Sequence, residues 1–167
     1  AQFVPRVGTE AVVGGNLGAG PFAKGDGRAR APPHQIATMA IIAREMSARF
    51  VSVGINCLRN DAIGGLGVAA ASGASFVRVN VHVGAYVTDQ GIIEGEAARS
   101  LRYRATLGAR DVAILADVLV KHARPLVPMD IRSIVGDTLD RGMADAVVVT
   151  GSATGALSAL TVNGDEV

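Results

Sequence analysis

The amino-acid sequence predicts an α/β fold of the (β/α) TIM-barrel type. Short runs rich in β-branched residues alternate with longer helical patterns, which is typical of βαβ units and a parallel sheet. Several predicted strands are apolar on one face and polar on the other, whereas a flat sheet covered by helices is apolar on both faces. In a barrel, the inner face turns polar towards the C-terminal ends of the strands. The barrel therefore explains the pattern better than a doubly wound sheet.

The predicted strands and helices follow one another along the whole chain. Strands are predicted at residues 10–14, 50–57, 75–81, 112–118 and 144–150. Helices are predicted at residues 33–49, 61–72, 94–107 and 129–141. Three helices are followed by Gly73, Gly108 and Gly142, at the position where a left-handed glycine commonly ends a helix.

The chain length limits how much of a barrel is present. With 167 residues the chain forms one domain, whereas a complete (β/α)8 barrel takes about 250 residues. Five predicted strands over residues 1–167 therefore indicate a single, partial barrel domain. The chain begins with Ala1 instead of Met, so we expect a fragment with a missing start, or a short form with open sheet edges. A second copy or a partner chain would cover such edges.

The composition excludes several classes of protein. A hydrophobic content of 49% and a charged content of 19% exclude a disordered tail. A net charge of +1 and an aromatic content of 4% argue against nucleic-acid binding. No stretch approaches the roughly 20 apolar residues of a membrane helix, which leaves peripheral membrane association open. The single Cys57 excludes an intramolecular disulfide and favours a reducing, cytoplasmic location.

The candidate catalytic residues lie at or just beyond the C-terminal end of the strand predicted at residues 112–118. They are Asp117, Lys121 and His122, a carboxylate, an amine and an imidazole that together can transfer protons to and from a substrate. A Schiff base at Lys121 is a second chemical option. The simpler interpretation is that Asp117 caps a loop and the other two side chains are solvated.

Candidate substrate-binding residues lie at the ends of two other strands. Asn56, Arg59 and Asp61 close the first of them, and an arginine there can bind an anion through two hydrogen bonds. Asp61 has an equally good structural role as the N-cap of the next helix. Arg78 and Asn80 lie on the inner face of the other strand, where Arg78 either binds substrate or pairs with a buried carboxylate such as Asp117. His82, on the same face, is interpreted as a hydrogen-bonded scaffold residue.

Two further segments complete the set of candidate residues. Residues 84–95 are predicted to form a long loop that contributes Asp89 and Gln90 to substrate binding. The small, hydroxyl-rich stretch after the last strand contributes Ser152 and Thr154, which can bind an anion through their loop backbone or simply form a tight turn. No residues have structural-zinc spacing, Cys57 is interpreted as a buried small hydrophobe, and no cofactor is indicated.

Several ordered motifs of the chain resemble the BtpA/SgcQ family. They include Asn-Cys-Leu-Arg-Asn-Asp at residues 56–61, Phe-Val-Arg-Val-Asn at 76–80 and Thr-Asp-Gln-Gly-Ile-Ile-Glu-Gly at 88–95. The match continues through residues 115–118, 121–123 and 144–152, and covers roughly residues 12–155. The resemblance implies strands two to six of a TIM barrel of the ribulose-phosphate-binding kind. It places the usual phosphate-binding loops, after strands seven and eight, beyond Val167.

The resemblance implies two different functions. The family is named after a cyanobacterial factor for photosystem I biogenesis, while bacterial relatives occur with sugar-uptake genes. The first expectation is an enzyme acting on a small, anionic, phosphorylated sugar-like metabolite by acid/base chemistry. The alternative is a non-catalytic assembly factor with a degenerate site. The alternative is favoured by Gly15 and Ala19, which stand where the family tends to have acidic residues, and by Leu119, which stands where it tends to have a histidine.

Overall fold

A computed structural model describes residues 11–16, 31–89, 91–120, 123–149, 160–162 and 165–166 of the chain. Its α-helices are α1 (Pro33–Ser47), α2 (Ala62–Ser72), α3 (Ala97–Thr106) and α4 (Ile131–Gly136), the last continued by a π-helical turn over Asp137–Arg141. Its strands are β1 (Ala11–Gly15), β2 (Ser52–Asn56), β3 (Phe76–Val79), β4 (Ala85–Thr88), β5 (Gly91–Glu94), β6 (Ala113–Val118), β7 (Ala123–Pro125), β8 (Ala146–Val149), β9 (Leu160–Val162) and β10 (Asp165–Glu166).

The predicted α/β class is confirmed. All five predicted strands form, as β1, β2, β3, β6 and β8, and helices intervene as the periodicity indicated. β1 and β3 both pair in parallel with β2, and β6 pairs in parallel with β8. The contacts divide the chain into two compact units, one formed by residues 1–78 and 100–113, the other by residues 79–99 and 114–167.

The first unit is built on β1, β2 and β3. In the register of β1 and β2, Gly15 lies opposite Asn56, so both strands reach their C-terminal ends together. Helix α2 packs against α1 and against β2. Its apolar face carries Leu66, which is fully buried because the helix lies against these two neighbours. Gly73 ends the helix with a φ of 74°, as predicted.

The second unit contains β6 and β8 and a separate three-stranded antiparallel sheet. Val118 of β6, Val147 of β8 and Ile134 of α4 pack into one apolar cluster. β9 and β10 add antiparallel strands beside β8. The antiparallel sheet has the strand order β5-β4-β7. A second apolar cluster, built around Tyr86 and Ile93, accompanies it.

The prediction of a long loop at residues 84–95 is wrong. This segment forms the β4–β5 hairpin, with Tyr86 opposite Ile93 and Thr88 opposite Gly91. Two short β-branched and aromatic runs separated by a turn are a hairpin signal, and Gly91 supplies the positive φ of 95° that the turn needs. Glu94 therefore belongs to β5, and α3 begins three residues later than predicted, at Ala97.

The prediction for Gly142 as a left-handed helix end is also wrong, whereas Gly108 behaves as predicted. Gly108 has a φ of 69°, but Gly142 has a φ of −77°. The next residue, Met143, has the positive φ instead. Gly142 is needed for close packing instead. A Cβ there would lie 2.5 Å from Cγ1 of Val83 and 2.8 Å from the carbonyl oxygen of Thr138.

Cys57 follows β2 and is only 4% exposed, as the sequence interpretation required. Burial, and secondarily the nearby charge of Asp61, raises the pKa of the Cys57 thiol to about 12.

The raised pKa of Cys57 predicts a slow reaction with thiol reagents. At about pH 8 the thiolate amounts to about one molecule in ten thousand, and the thiolate is the reactive form. We expect the folded protein to react with a disulfide reagent about a thousandfold more slowly than the unfolded chain. Equal rates with and without guanidinium chloride would contradict this expectation.

Candidate functional site

Asp117 and Asn80 meet in the second unit. Asp117 lies near the C-terminal end of β6 and is only 6% exposed, although it is a carboxylate. The amide Nδ2 of Asn80, just beyond β3, donates a hydrogen bond of 2.9 Å to Oδ2 of Asp117. A buried carboxylate needs such donors, and this one also fixes the plane of the carboxyl group. The structure thus brings two of the predicted site residues together.

Five predicted site residues lie outside the described part of the chain. They are Gln90, Lys121, His122, Ser152 and Thr154. Their roles in acid/base chemistry and substrate binding remain predictions. The described residues on either side of the Lys-His pair are Val120, which packs against the cluster around Tyr86, and Ala123, which belongs to it.

The end of β2 in the first unit carries the predicted Asn56 and Arg59. Asn56 is half-buried, and its Oδ1 is buried without a hydrogen-bond partner within the part of the chain that the structure describes. Most buried polar atoms in proteins are hydrogen-bonded, so this carbonyl oxygen marks a place for a donor from a water or a ligand. Arg59 follows in the turn after β2 and is also half-buried.

Asp61 acts as the N-cap of α2, which confirms the structural interpretation. Its Oδ1 accepts a hydrogen bond of 2.9 Å from the backbone N–H of Gly64, and its Oδ2 accepts one of 3.0 Å from the N–H of Ala31. The side chain is 4% exposed. Both carboxylate oxygens are thus used to hold backbone, and substrate binding by Asp61 remains a prediction only.

Sequence reasoning assigned no role to Asn16, which the structure places beside this turn. Its side chain accepts a hydrogen bond of 2.7 Å from the N–H of Leu58 and donates one of 2.9 Å to the Leu58 carbonyl. A third bond, of 3.1 Å, runs to Oε1 of Gln35. Asn16 is 5% exposed and holds the residue just before Arg59 in place. Its position directly after β1 is the signal that would have identified it.

The remaining predicted residues have different environments. Arg78 is half-buried on the face of β3 opposite the buried Val77 and Val79, as the alternation predicted. Asp89 is exposed in the turn of the β4–β5 hairpin. His82 is 2% exposed and its Nε2 lies 2.9 Å from the carbonyl oxygen of Gly142, in agreement with a scaffold role.

The described residues contain neither a metal-binding cluster nor a helix that could span a membrane. No group of three or more His, Cys, Asp or Glu side chains there is arranged to hold a metal ion. No helix in that part of the chain is long and apolar enough to cross a bilayer.

The chain matches one protein-family model and is similar in sequence to several curated proteins. The BtpA family model matches residues 1–162. The chain is 46% identical over 149 residues to the photosystem I biogenesis protein BtpA of Synechocystis sp., covering 89% of this chain and 50% of that protein. It is 41% identical over 156 residues to an uncharacterized protein of Methanocaldococcus jannaschii, covering 93% and 57% respectively. An uncharacterized Pyrococcus abyssi protein is 40% identical over 151 residues, with 90% and 55% covered.

The chain spans about half the length of the curated relatives it matches. No solved structure matches it.

Proposed function

Because the chain belongs to the BtpA family, we propose that it supplies βα units of a (β/α)8 barrel that binds a small phosphorylated, sugar-like metabolite. We further propose that the barrel performs acid/base chemistry at the C-terminal ends of its strands. The observation that carries this proposal is the buried carboxylate of Asp117, held by Asn80 near the end of β6. Binding groups of barrel enzymes lie at this end of the strands.

Asp117 is the proposed acid/base group. Its carboxylate takes a proton from a carbon next to the carbonyl group of the metabolite. The electron pair of the broken C–H bond forms a C=C bond with the carbonyl carbon, and the π pair of the carbonyl group moves onto its oxygen, which gives an enolate. The hydrogen bond from Asn80 holds Oδ2 and so keeps the carboxyl group in one orientation while the proton moves. Return of the proton from Asp117 to the same carbon restores the carbonyl group and completes the cycle.

Asn56 and Arg59 are the proposed substrate-binding residues of the first unit. The buried Oδ1 of Asn56 is suited to accept a hydrogen bond from a sugar hydroxyl. Arg59 supplies the guanidinium that a phosphate or carboxylate group binds. Its turn is held at Leu58 by Asn16 and at Asp61 by the start of α2, which limits the movement of the backbone before substrate arrives.

Exchange of carbon-bound hydrogen tests this chemistry without knowledge of the final product. The purified protein that contains the whole proposed barrel is incubated with ribulose 5-phosphate in D2O, and deuterium uptake at the carbons beside the carbonyl is followed by NMR. We expect Asp117→Asn to lower the exchange rate about a hundredfold, in line with loss of one general acid/base group. Asp111→Asn, at an exposed carboxylate before β6, serves as the control and should leave the rate unchanged. Exchange that persists in Asp117→Asn would refute the assignment.

A non-catalytic assembly role is the second candidate. The specific observation in its favour is the name of the Synechocystis relative, a photosystem I biogenesis protein. Gly15, opposite Asn56 at the end of β1, also has no side chain where the family resemblance implies an acid. This candidate predicts that neither inorganic phosphate nor ribulose 5-phosphate shifts the melting temperature of the folded chain. A ligand-dependent shift that Asp117→Asn or Arg59→Gln reduces would favour the enzyme.

A further inference from the structure

The second unit contains an apolar cavity that none of the predicted site residues lines. Its volume is about 530 Å³, within the range of roughly 300–1,000 Å³ typical of small-molecule sites. We call it the β7–α4 cavity. Its walls come from the segment before β4, the start of α3, the segment after β7, and α4 with its π-helical turn. The apolar lining residues used below are Val83, Ala98, Leu126, Val127 and Met129.

The rim of the β7–α4 cavity exposes large apolar side chains to water. Leu126 is 53% exposed, Val127 64% and Met129 47%, all within one short segment after β7. Single exposed apolar residues are ordinary, but a contiguous group beside a concave surface is typical of a binding site. A ligand in the cavity would remove this apolar surface from water, which is the main favourable contribution to binding of an apolar molecule.

Arg141 gives the cavity a polar end. Its guanidinium lies 3.8 Å from the carboxylate of Asp137, and the two side chains are 83% and 41% exposed. At this distance and exposure the ion pair contributes little, and its distance exceeds that of a hydrogen bond. A guanidinium has five N–H donors on more than one edge, so Arg141 can bind a second carboxylate without releasing Asp137. Asp137 and Arg141 are the charged residues among those that line the cavity.

We propose that the β7–α4 cavity binds an apolar small molecule that carries one carboxylate group. The apolar part lies among Val83, Leu126 and Met129, and the carboxylate is bound by Arg141. This site is separate from the proposed acid/base site, because neither Asp117 nor Asn80 lines the cavity. Its test is therefore independent of the proposed reaction.

Calorimetric titration of the purified chain with decanoate tests the proposal, with decan-1-ol and decylamine as comparison ligands. We expect decanoate to bind most tightly. Arg141→Gln should weaken decanoate binding about fivefold, consistent with one exposed charge pair, and leave decan-1-ol binding unchanged. Equal losses for both ligands, or tighter binding of decylamine, would overturn the carboxylate assignment. Absence of decanoate binding to the unaltered chain would overturn the site itself.

A tryptophan introduced at the wall of the β7–α4 cavity tests whether decanoate binds there. Ala98→Trp, in the first turn of α3, places a large side chain at the wall and should weaken decanoate binding at least about tenfold. Ala105→Trp is the matched control, since both alanines are exposed on α3 but Ala105 does not line the cavity. The chain has no tryptophan of its own, so each variant also carries a unique fluorophore. Ala98→Trp should emit at shorter wavelength than Ala105→Trp because its indole lies in an apolar environment.

Equal decanoate affinities in the two tryptophan variants would contradict the proposed location. If Ala98→Trp loses its circular dichroism signal, Leu126→Gln takes its place, because Leu126 lies on the exposed rim and its replacement does not disturb buried packing. A second copy of the chain is the other occupant to exclude. A dimer in size-exclusion chromatography that Leu126→Gln dissociates and decanoate leaves intact would overturn the proposal.

Discussion

Replacement of Leu66 by alanine is expected to lower the free energy of unfolding by about 4 kcal/mol. Leu66 is 0% exposed in α2, the helix that packs against α1 and β2. Truncation removes the apolar contacts of the leucine and leaves a cavity that the surrounding backbone cannot close fully. The free energy of unfolding falls this far because strands and helices border the site on several sides and cannot move in to fill the cavity. Urea denaturation followed by circular dichroism measures it.

Leu107→Ala is the matched control for this substitution. Leu107 follows α3 and is 38% exposed, so its side chain is already partly in water. We expect a loss below about 1 kcal/mol, because the apolar area that leaves the folded interior is small. Similar losses for the two leucine variants would mean that α2 does not pack as described.

Replacement of Gly95 by alanine is expected to lower the free energy of unfolding by about 3 kcal/mol. A Cβ on Gly95 would overlap the carbonyl oxygen of His82 and would lie 2.6 Å from Cα of Val83. These atoms belong to the backbone, so no change of rotamer relieves the overlap. The His82 carbonyl also accepts a hydrogen bond of 3.1 Å from the N–H of Ala97, which ties the start of α3 to the same peptide. Thermal and urea unfolding should both show the loss.

Gly108→Ala is the control that separates the steric overlap at Gly95 from the cost of placing an alanine at a positive φ. Gly108 has a φ of 69°, and no atom lies within 4 Å of the Cβ that the substitution would add. The expected loss is about 1 kcal/mol, the ordinary penalty for an alanine in the left-handed region. A larger loss in Gly108→Ala than in Gly95→Ala would contradict the close backbone approach between residues 82 and 95.

The hairpin at β4 and β5 shows where a compositional reading of the chain fails. Residues 84–95 contain glycines and polar residues, which led to the prediction of a loop. The period-two runs on either side of Asp89 and Gln90 were the stronger signal, because they determine which backbone groups can pair. The prediction of Asp61 as N-cap succeeded because it depends on local sequence alone. A side chain that caps the N–H three residues later involves only neighbouring residues.

In the candidate site, too, the sequence predicted the residues that a local pattern marks and missed one that depends on a distant contact. Asp117 and Asn80 were both identified by strand alternation, and their contact follows from their positions near strand ends. Asn16 was missed because its partner, Leu58, is 42 positions away in the sequence. Its two hydrogen bonds with Leu58 depend on β1 and β2 ending side by side, and residue type alone does not indicate such a pairing.

The sequence by itself determined the α/β class, the five parallel strands, their buried faces and the family. These properties follow from the period of apolar residues and from ordered motifs, which are local features of the chain. Only the tertiary structure decided that Gly142 serves packing against Val83, that Asn16 holds Leu58, and that an apolar cavity opens beside β7 and α4. Each of these depends on distances between residues far apart in sequence. Such distances are set by how the elements pack.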